Sequence, residues 1–210
     1  MDWTTISALA TAGGTLVLAG TTYASVRSAN RAARVAEQSL LAGLRPLVIQ
    51  SSDEIDPPIH VGFADGMTVT VPGGGAAVEV VEGRVYIALS LRNVGTGIGV
   101  LHSGYVGPTK IGVDEHEPLD GFRRLVRDIY LPAGKVGFWQ IAFRDDDRRD
   151  EVRSLVESGR FAVELLYGDF DGGQRMVTRF GFNPKTNGDG WLLAVGRHWS
   201  VDRPDPRQRD

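Results

Sequence analysis

Val85 to Asn93, VYIALSLRN, is the stretch that decides the fold. Val85, Ile87, Leu89 and Leu91 fall on one side of an extended chain, with Tyr86, Ala88, Ser90 and Arg92 on the other. That period of two predicts a β-strand with one face turned to a core. The Gly-rich run Asn93 to Gly99 then reads as a turn, and Val100 to Val106 is expected to return as the partner strand.

Outward from this strand the same pattern repeats. Leu47 to Ser51 reads as the first strand, Asp53 to Pro58 as a turn-rich link, and Met67 to Val71 and Ala77 to Val81 as two strands separated by Pro72 and three glycines. Leu125 to Leu131 and Val136 to Phe143 flank Pro132-Ala133-Gly134 as the arms of a hairpin. Phe161 to Tyr167 and Met176 to Phe182 alternate on either side of GDFDGG, Gly168 to Gly173, a second hairpin turn. Trp191 to Val201 supplies a last strand. One helix interrupts the series. Asp145 to Ser158 opens on three aspartates, suited to the positive end of a helix dipole, buries Val152, Leu155 and Val156, and stops at Gly159. Residues 203–210, charged and broken by prolines, read as a disordered tail. Eight or nine short strands with one inserted helix predict a mainly β fold, an antiparallel β-sandwich over residues 46–202, with a partly open barrel as the alternative.

A long N-terminal helix precedes that domain. Trp3 to Val26 contains no charged residue, and 24 residues at ~1.5 Å each span ~36 Å. A hydrocarbon core of ~30 Å needs about 20 residues, so residues 1–26 are expected to form a transmembrane helix. The large aliphatics are only Ile6, Leu9, Leu16, Val17, Leu18 and Val26; the remainder is mostly Ala, Gly, Thr and Ser, whose hydroxyls can bond back to the helix. A signal peptide would start with a positive charge, and no Lys or Arg comes before Arg27. Residues 27–45 continue as a basic juxtamembrane helix, which Arg45-Pro46 ends because the residue before proline avoids the α region. Arg27, Arg31 and Arg34 share one helical face, positioned for anionic headgroups. The positive-inside rule places the N-terminus outside and the β domain in the cytoplasm of a single-pass cell-membrane protein. Ala10 with Gly14, Gly20 with Ala24, and the seam of Val26, Ala29, Ala33, Ala36 and Leu40 would also allow a homo-oligomer through this helix, beside its partner the bilayer.

The chain of 210 residues has a net charge of −3. Residues 1–45 carry four arginines against Asp2 and Glu37, leaving 19 bases and 24 acids beyond them, a net −5. An acidic domain argues against a nucleic-acid partner. With no cysteine, disulfides and thiolate zinc sites are excluded.

Motifs for chemistry fail their tests. Gly95-Thr96-Gly97-Ile98-Gly99 has Val100 where a dinucleotide fingerprint needs its third glycine, and Gly73-Gly74-Gly75 lacks the Lys of a phosphate loop. Asp169 and Asp171 lack the distal Glu of a calcium loop. His60, His102, His116 and His198 show no metal-ligand spacing, and no nucleophile elbow is present. No catalytic, cofactor-binding or metal-binding residue is therefore predicted. Trp139, Trp199, His198 and Asp169 stand as candidates for a pocket or interface. The Ala/Thr/Gly-rich N-terminal stretch, Arg45-Pro46, LRNVGTG (Leu91 to Gly97), YGDFDGGQRMVTRF (Tyr167 to Phe180) and the final RHW (Arg197 to Trp199) together resemble uncharacterised bacterial single-pass membrane proteins with a small all-β domain. That resemblance implies an anchored β domain and brings no catalytic residues. The expected function is a membrane-anchored, non-enzymatic module binding a cytoplasmic protein or small ligand. It predicts an exposed apolar or aromatic patch away from the membrane-proximal end. The alternative is a membrane-tethered hydrolase, which requires two or more of His102, His198, Asp128 and Asp169 to converge in a pocket.

Overall fold

The computed structural model describes residues 2–110, 115–145, 148–186 and 190–204. Two compact units emerge, Met1–Gly43 and Leu44–Asp210. The first is one helix, α1, Trp3–Gly43, which runs unbroken from the expected transmembrane stretch into the juxtamembrane one, as the sequence reading expects. Every α1 residue whose burial is described is exposed, among them Leu16, Val17, Leu18 and Tyr23. The hydroxyls of Ser7, Thr11, Thr15 and Thr21 donate to carbonyls three or four residues earlier, at 2.8 to 3.0 Å, so the helix satisfies them itself. Among the described residues no helix is long and apolar enough to cross a membrane. The expected span meets the length requirement, but its many Ala, Gly, Thr and Ser residues dilute its hydropathy.

The second unit contains β1 Val48–Gln50, β2 Ile59–Gly62, β3 Thr68–Val71, β4 Gly75–Val81, β5 Arg84–Asn93, β6 Gly99–Pro108, β7 Arg123–Leu131, β8 Val136–Phe143, α2 Arg149–Glu157, β9 Phe161–Gly168, β10 Met176–Pro184 and β11 Trp191–Ser200. It is mainly β and antiparallel throughout. Nine strands form one ladder in the order β1-β5-β4-β11-β10-β9-β6-β7, with β8 on the other side of β5. β7 and β8 thus end the ladder at opposite extremes, yet only residues 132–135 separate them in sequence, so the sheet curls round on itself. Its inner face packs Ile87, Leu89 and Leu91 of β5 with Trp139, Phe161, Val163, Leu165, Phe180 and Phe182, all essentially fully buried. α2 adds Val152 to this core, with Leu155 and Val156 beside it, as the stripe predicts. The helix itself starts later than expected, at Arg149, and its N-cap Arg148 makes no side-chain cap bond; Asp146 and Asp147 lie outside the described residues.

Three pairings differ from the sequence reading. β6 does not return beside β5; it lies between β7 and β9. β7 and β8 are not a paired hairpin, since β8 is bonded to β5. β2 falls where no strand was expected, and with β3 forms a small hairpin whose Val61, Phe63, Val69 and Val71 pack on Ala77, Tyr86, Ala88 and Ala142. That hairpin covers the second face of β5 at Tyr86 and Ala88, which is why both are buried too, while Ser90 is bonded to Ser51. The β9–β10 hairpin and β11 form as expected.

The LRNVGTG motif is a structural knot. Asn93 is fully buried, and its amide donates to the Gly97 and Leu131 carbonyls at 2.7 and 2.9 Å while its oxygen accepts from Leu47 and Gly95 at 3.1 and 3.0 Å. A Cβ on Gly97 would overlap the Leu44 carbonyl oxygen, and one on Gly95 the Arg45 carbonyl. Only glycine lets the two backbones approach so closely. Asp202, placed near the charged tail, is held by Arg175 at 2.7 Å, and residues 205–210 lie outside the described residues.

Candidate functional site

β7 leaves its partner where it meets β6. Gly99–Leu101 pair with Ile129–Leu131, after which the register jumps to Ser103 and Gly104 with Arg124 and Arg123. Leu125 to Asp128 therefore bulge from the ladder opposite the single residue His102, and Val126 is fully exposed. Across from this bulge stands β8, bonded to β5 without a register shift. Between the two runs a cleft of about 350 Å³, closed on one side by Gly62, Phe63 and Ala64 of the β2–β3 turn. A neighbouring hollow of about 340 Å³ shares Arg123 and Ile141 with it and reaches Phe122 and Arg148.

The cleft is basic. Arg123, Arg124, Arg127 and Arg144 line it over a floor that includes Ile129 and Ile141. Two of these cations are held in place. Arg144 Nε donates to Asp65 Oδ2 at 2.7 Å, and the Tyr86 hydroxyl donates to the same oxygen at 2.7 Å. Arg144, then Tyr86, holds the Asp65 carboxyl well below the usual carboxylate range. The Arg123 guanidinium lies over the Phe143 ring, 5.5 Å from its centroid. Arg124 and Arg127 are exposed and have no ion-pair partner among the described residues. Gln140 Oε1 is buried in the cleft wall with no hydrogen-bond donor among the described residues. The set offers cations, an acceptor and an apolar floor, which suits binding an anion with an apolar part.

The residues singled out from sequence lie elsewhere. Trp139 is fully buried inside the curled sheet, and a Cβ on Gly104 would overlap its ring. Trp199 is buried on the outer face, with the Arg179 guanidinium 4.8 Å from its ring centroid and His116 edge-on at 5.8 Å. His198 Nδ1 lies 2.6 Å from Thr178 Oγ1, itself 3.1 Å from the Tyr167 hydroxyl. Burial raises the Tyr167 pKa. Asp169 Oδ1 accepts from the amides of Gly173 and Gln174 at 2.7 and 3.3 Å and shapes its own turn. Asp128 is exposed on the β7 bulge, and His102 sits against Gly168. None of His102, His198, Asp128 and Asp169 lines the cleft or its neighbouring hollow. Among the described residues no group of three or more His, Asp or Glu is placed to hold a metal ion. Arg27, Arg31 and Arg34 do share one face of α1, with Tyr23, Val26 and Asn30. An exposed aromatic pair, Tyr130 and Phe170, 6.3 Å apart, lies at the end of the sheet where the chain enters β1, and Val80 and Val81 are exposed at the opposite end of β5. Sequence reasoning missed the cleft arginines. The signal was present in RRLVR, Arg123 to Arg127, three cations within a five-residue segment of a half-exposed strand.

Comparison with protein-family models and with curated proteins finds no match. Among solved structures, 60% of the chain is similar to 14% of a β-glucosidase from Kluyveromyces marxianus, at 16% identity and a TM-score of 0.24. A likeness that slight carries no argument about fold or activity.

Proposed function

We propose that this protein is a non-enzymatic binding module, held at the cell membrane by α1, whose β domain receives an anionic partner in the β7–β8 cleft. The observation that carries the reading is the presence of four arginines in one cleft, two of them without an ion-pair partner among the described residues. The membrane attachment is supported by the uncharged stretch before Arg27 and by hydroxyls that bond back into the helix. The arginines that follow order the topology: N-terminus outside, β domain cytoplasmic. In the β domain, the curl is read as flattened into the two layers of a sandwich, because β5 on one side and β9 and β10 on the other share a single core.

Membrane fractionation with a cytoplasm-active or an export-active reporter fused after Asp210 tests the anchor. Membrane association with the cytoplasmic reporter active is expected; a soluble product contradicts the anchor, and activity of the exported reporter reverses the topology. For the cleft, titration of a polyglutamate peptide into the full chain is expected to give binding that Arg124→Glu with Arg127→Glu abolishes. Equal binding by wild type and variant contradicts the assignment of the site.

A further inference from the structure

We propose that the cleft takes an extended acidic peptide from a partner protein, which adds as a strand to the free edge of β8 and fills the gap between β8 and β7. The inference rests on the reading of the cleft as a binding site and names its occupant.

Consecutive lining residues carry the argument. Side chains of a strand alternate between faces, so a pocket lying on a face meets every second residue. This cleft meets Gln140, Ile141 and Ala142 in succession on one side and Arg123 through Arg127 on the other. It therefore abuts both strands edge-on, where backbone N–H and C=O groups point. Neither the β8 edge away from β5 nor the β7 edge away from β6 has a ladder partner among the described residues. Free edges are templates for another strand, and natural sheets blunt them with bulges, charges or prolines. β7 is blunted in this way by its bulge and arginines. β8 is not: it runs eight residues, about 26 Å at ~3.3 Å per residue, in unbroken register with β5, with no proline and no charged residue.

Three further features specify what adds there. Gln140 Oε1 is a buried acceptor with no donor among the described residues, which an incoming peptide amide would supply. Ile141 and Ile129 offer an apolar floor to every second residue of an added strand. Arg124 and Arg127 line it without an ion-pair partner among the described residues, while the nearby carboxylate Asp65 is already engaged by Arg144 and Tyr86. A peptide alternating acidic and apolar residues matches all three. Strand addition of this kind draws affinity from the main chain and specificity from alternate side chains.

The test uses the full chain and a fluorescein-labelled octapeptide of alternating Val and Glu, with two versions N-methylated on either alternate set of backbone amides. The parent peptide is expected to bind, one methylated version to bind at least tenfold more weakly, and amide exchange at Gln140 to Ala142 to slow on binding. Arg124→Gln with Arg127→Gln, both at exposed positions, is expected to weaken the parent about tenfold. If both methylated versions bind as tightly as the parent but remain dependent on the arginines, strand addition is wrong and the basic cleft stands. If inorganic phosphate or anionic vesicles displace the peptide at equal charge concentration, the peptide is the wrong class of occupant. If binding is absent, or indifferent to both arginines, strand addition and the cleft reading fall together.

Discussion

Arg179 and Arg127 are the same residue type on strands of one sheet, and they have opposite fates. Arg179 is buried on the outer face of β10, bonded to Glu164 at 2.6 to 2.7 Å and to the Glu115 carbonyl at 2.7 Å, and stacked on Trp199. Glu164 in turn accepts from the Glu117 amide at 2.8 Å, so the pair ties the loop before β7 to the sheet. Arg127 is exposed on a bulge that has left the ladder, beside a strand edge with no partner. The difference lies in the strand pairing around them. Where β10 is bonded on both edges, to β9 in unbroken register and to β11 across a bulge just after Arg179, the cation is consumed by structure; where β7 and β8 fail to pair, Arg124 and Arg127 have no ion-pair partner among the described residues. Cationic side chains mark a site only where the fold leaves them unspent.

The largest expected effect breaks the closed side. Glu164→Ala strands a buried guanidinium and is expected to cost about 3–5 kcal/mol in urea unfolding, the usual consequence of removing one partner of a buried pair. A loss under ~1 kcal/mol, the range of exposed pairs, would show that Arg179 is solvated and the contrast false. Next comes the knot at Asn93. Gly97→Ala forces a methyl into the Leu44 carbonyl and is expected to cost about 1–3 kcal/mol, read from the same transition.

A third effect is visible only in acid. Arg92 first, and then the Ser52 amide, hold the Asp56 carboxyl below its ordinary value. The unfolded chain takes up that proton near pH ~3.9, whereas the folded protein resists until lower pH. The stabilisation is therefore complete above that value and is lost as the pH falls through the folded pKa. Asp56→Asn should lower the urea midpoint at neutral pH and flatten its decline in acid; an unchanged acid limb would remove Asp56 from the account. Smallest of all is the stability change in Arg124→Gln with Arg127→Gln, expected within ~0.5 kcal/mol of wild type because both side chains are exposed and neither has an ion-pair partner among the described residues.

Strand positions were legible because alternation writes one face into the sequence. Partners were not. The pattern in β5 reveals two faces but not that β4, β1 and β8 flank it, nor that β6 crosses away to β9. β2 escaped notice because Ile59-His60-Val61-Gly62 is four residues long and contains a glycine. Glycines 95 and 97 read as turn residues and lie between β5 and β6, but their task, admitting Leu44 to Leu47 at close range, depends on a contact across about fifty residues. The cleft was the least legible feature. It exists because two strands adjacent in sequence do not pair, whereas the hairpin reading joined them. The tryptophans attracted attention by size, and size placed them in the interior and against Arg179.

The most direct test of the central claim, that Arg124 and Arg127 at the β7–β8 opening form a recognition site, is calorimetric titration of the full chain with an acidic peptide at two salt concentrations, wild type beside Arg124→Gln with Arg127→Gln. The account predicts binding by wild type that weakens steeply with salt, and binding by the variant that is about tenfold weaker with a shallower salt dependence. Identical affinities and identical salt slopes for the two proteins would contradict it.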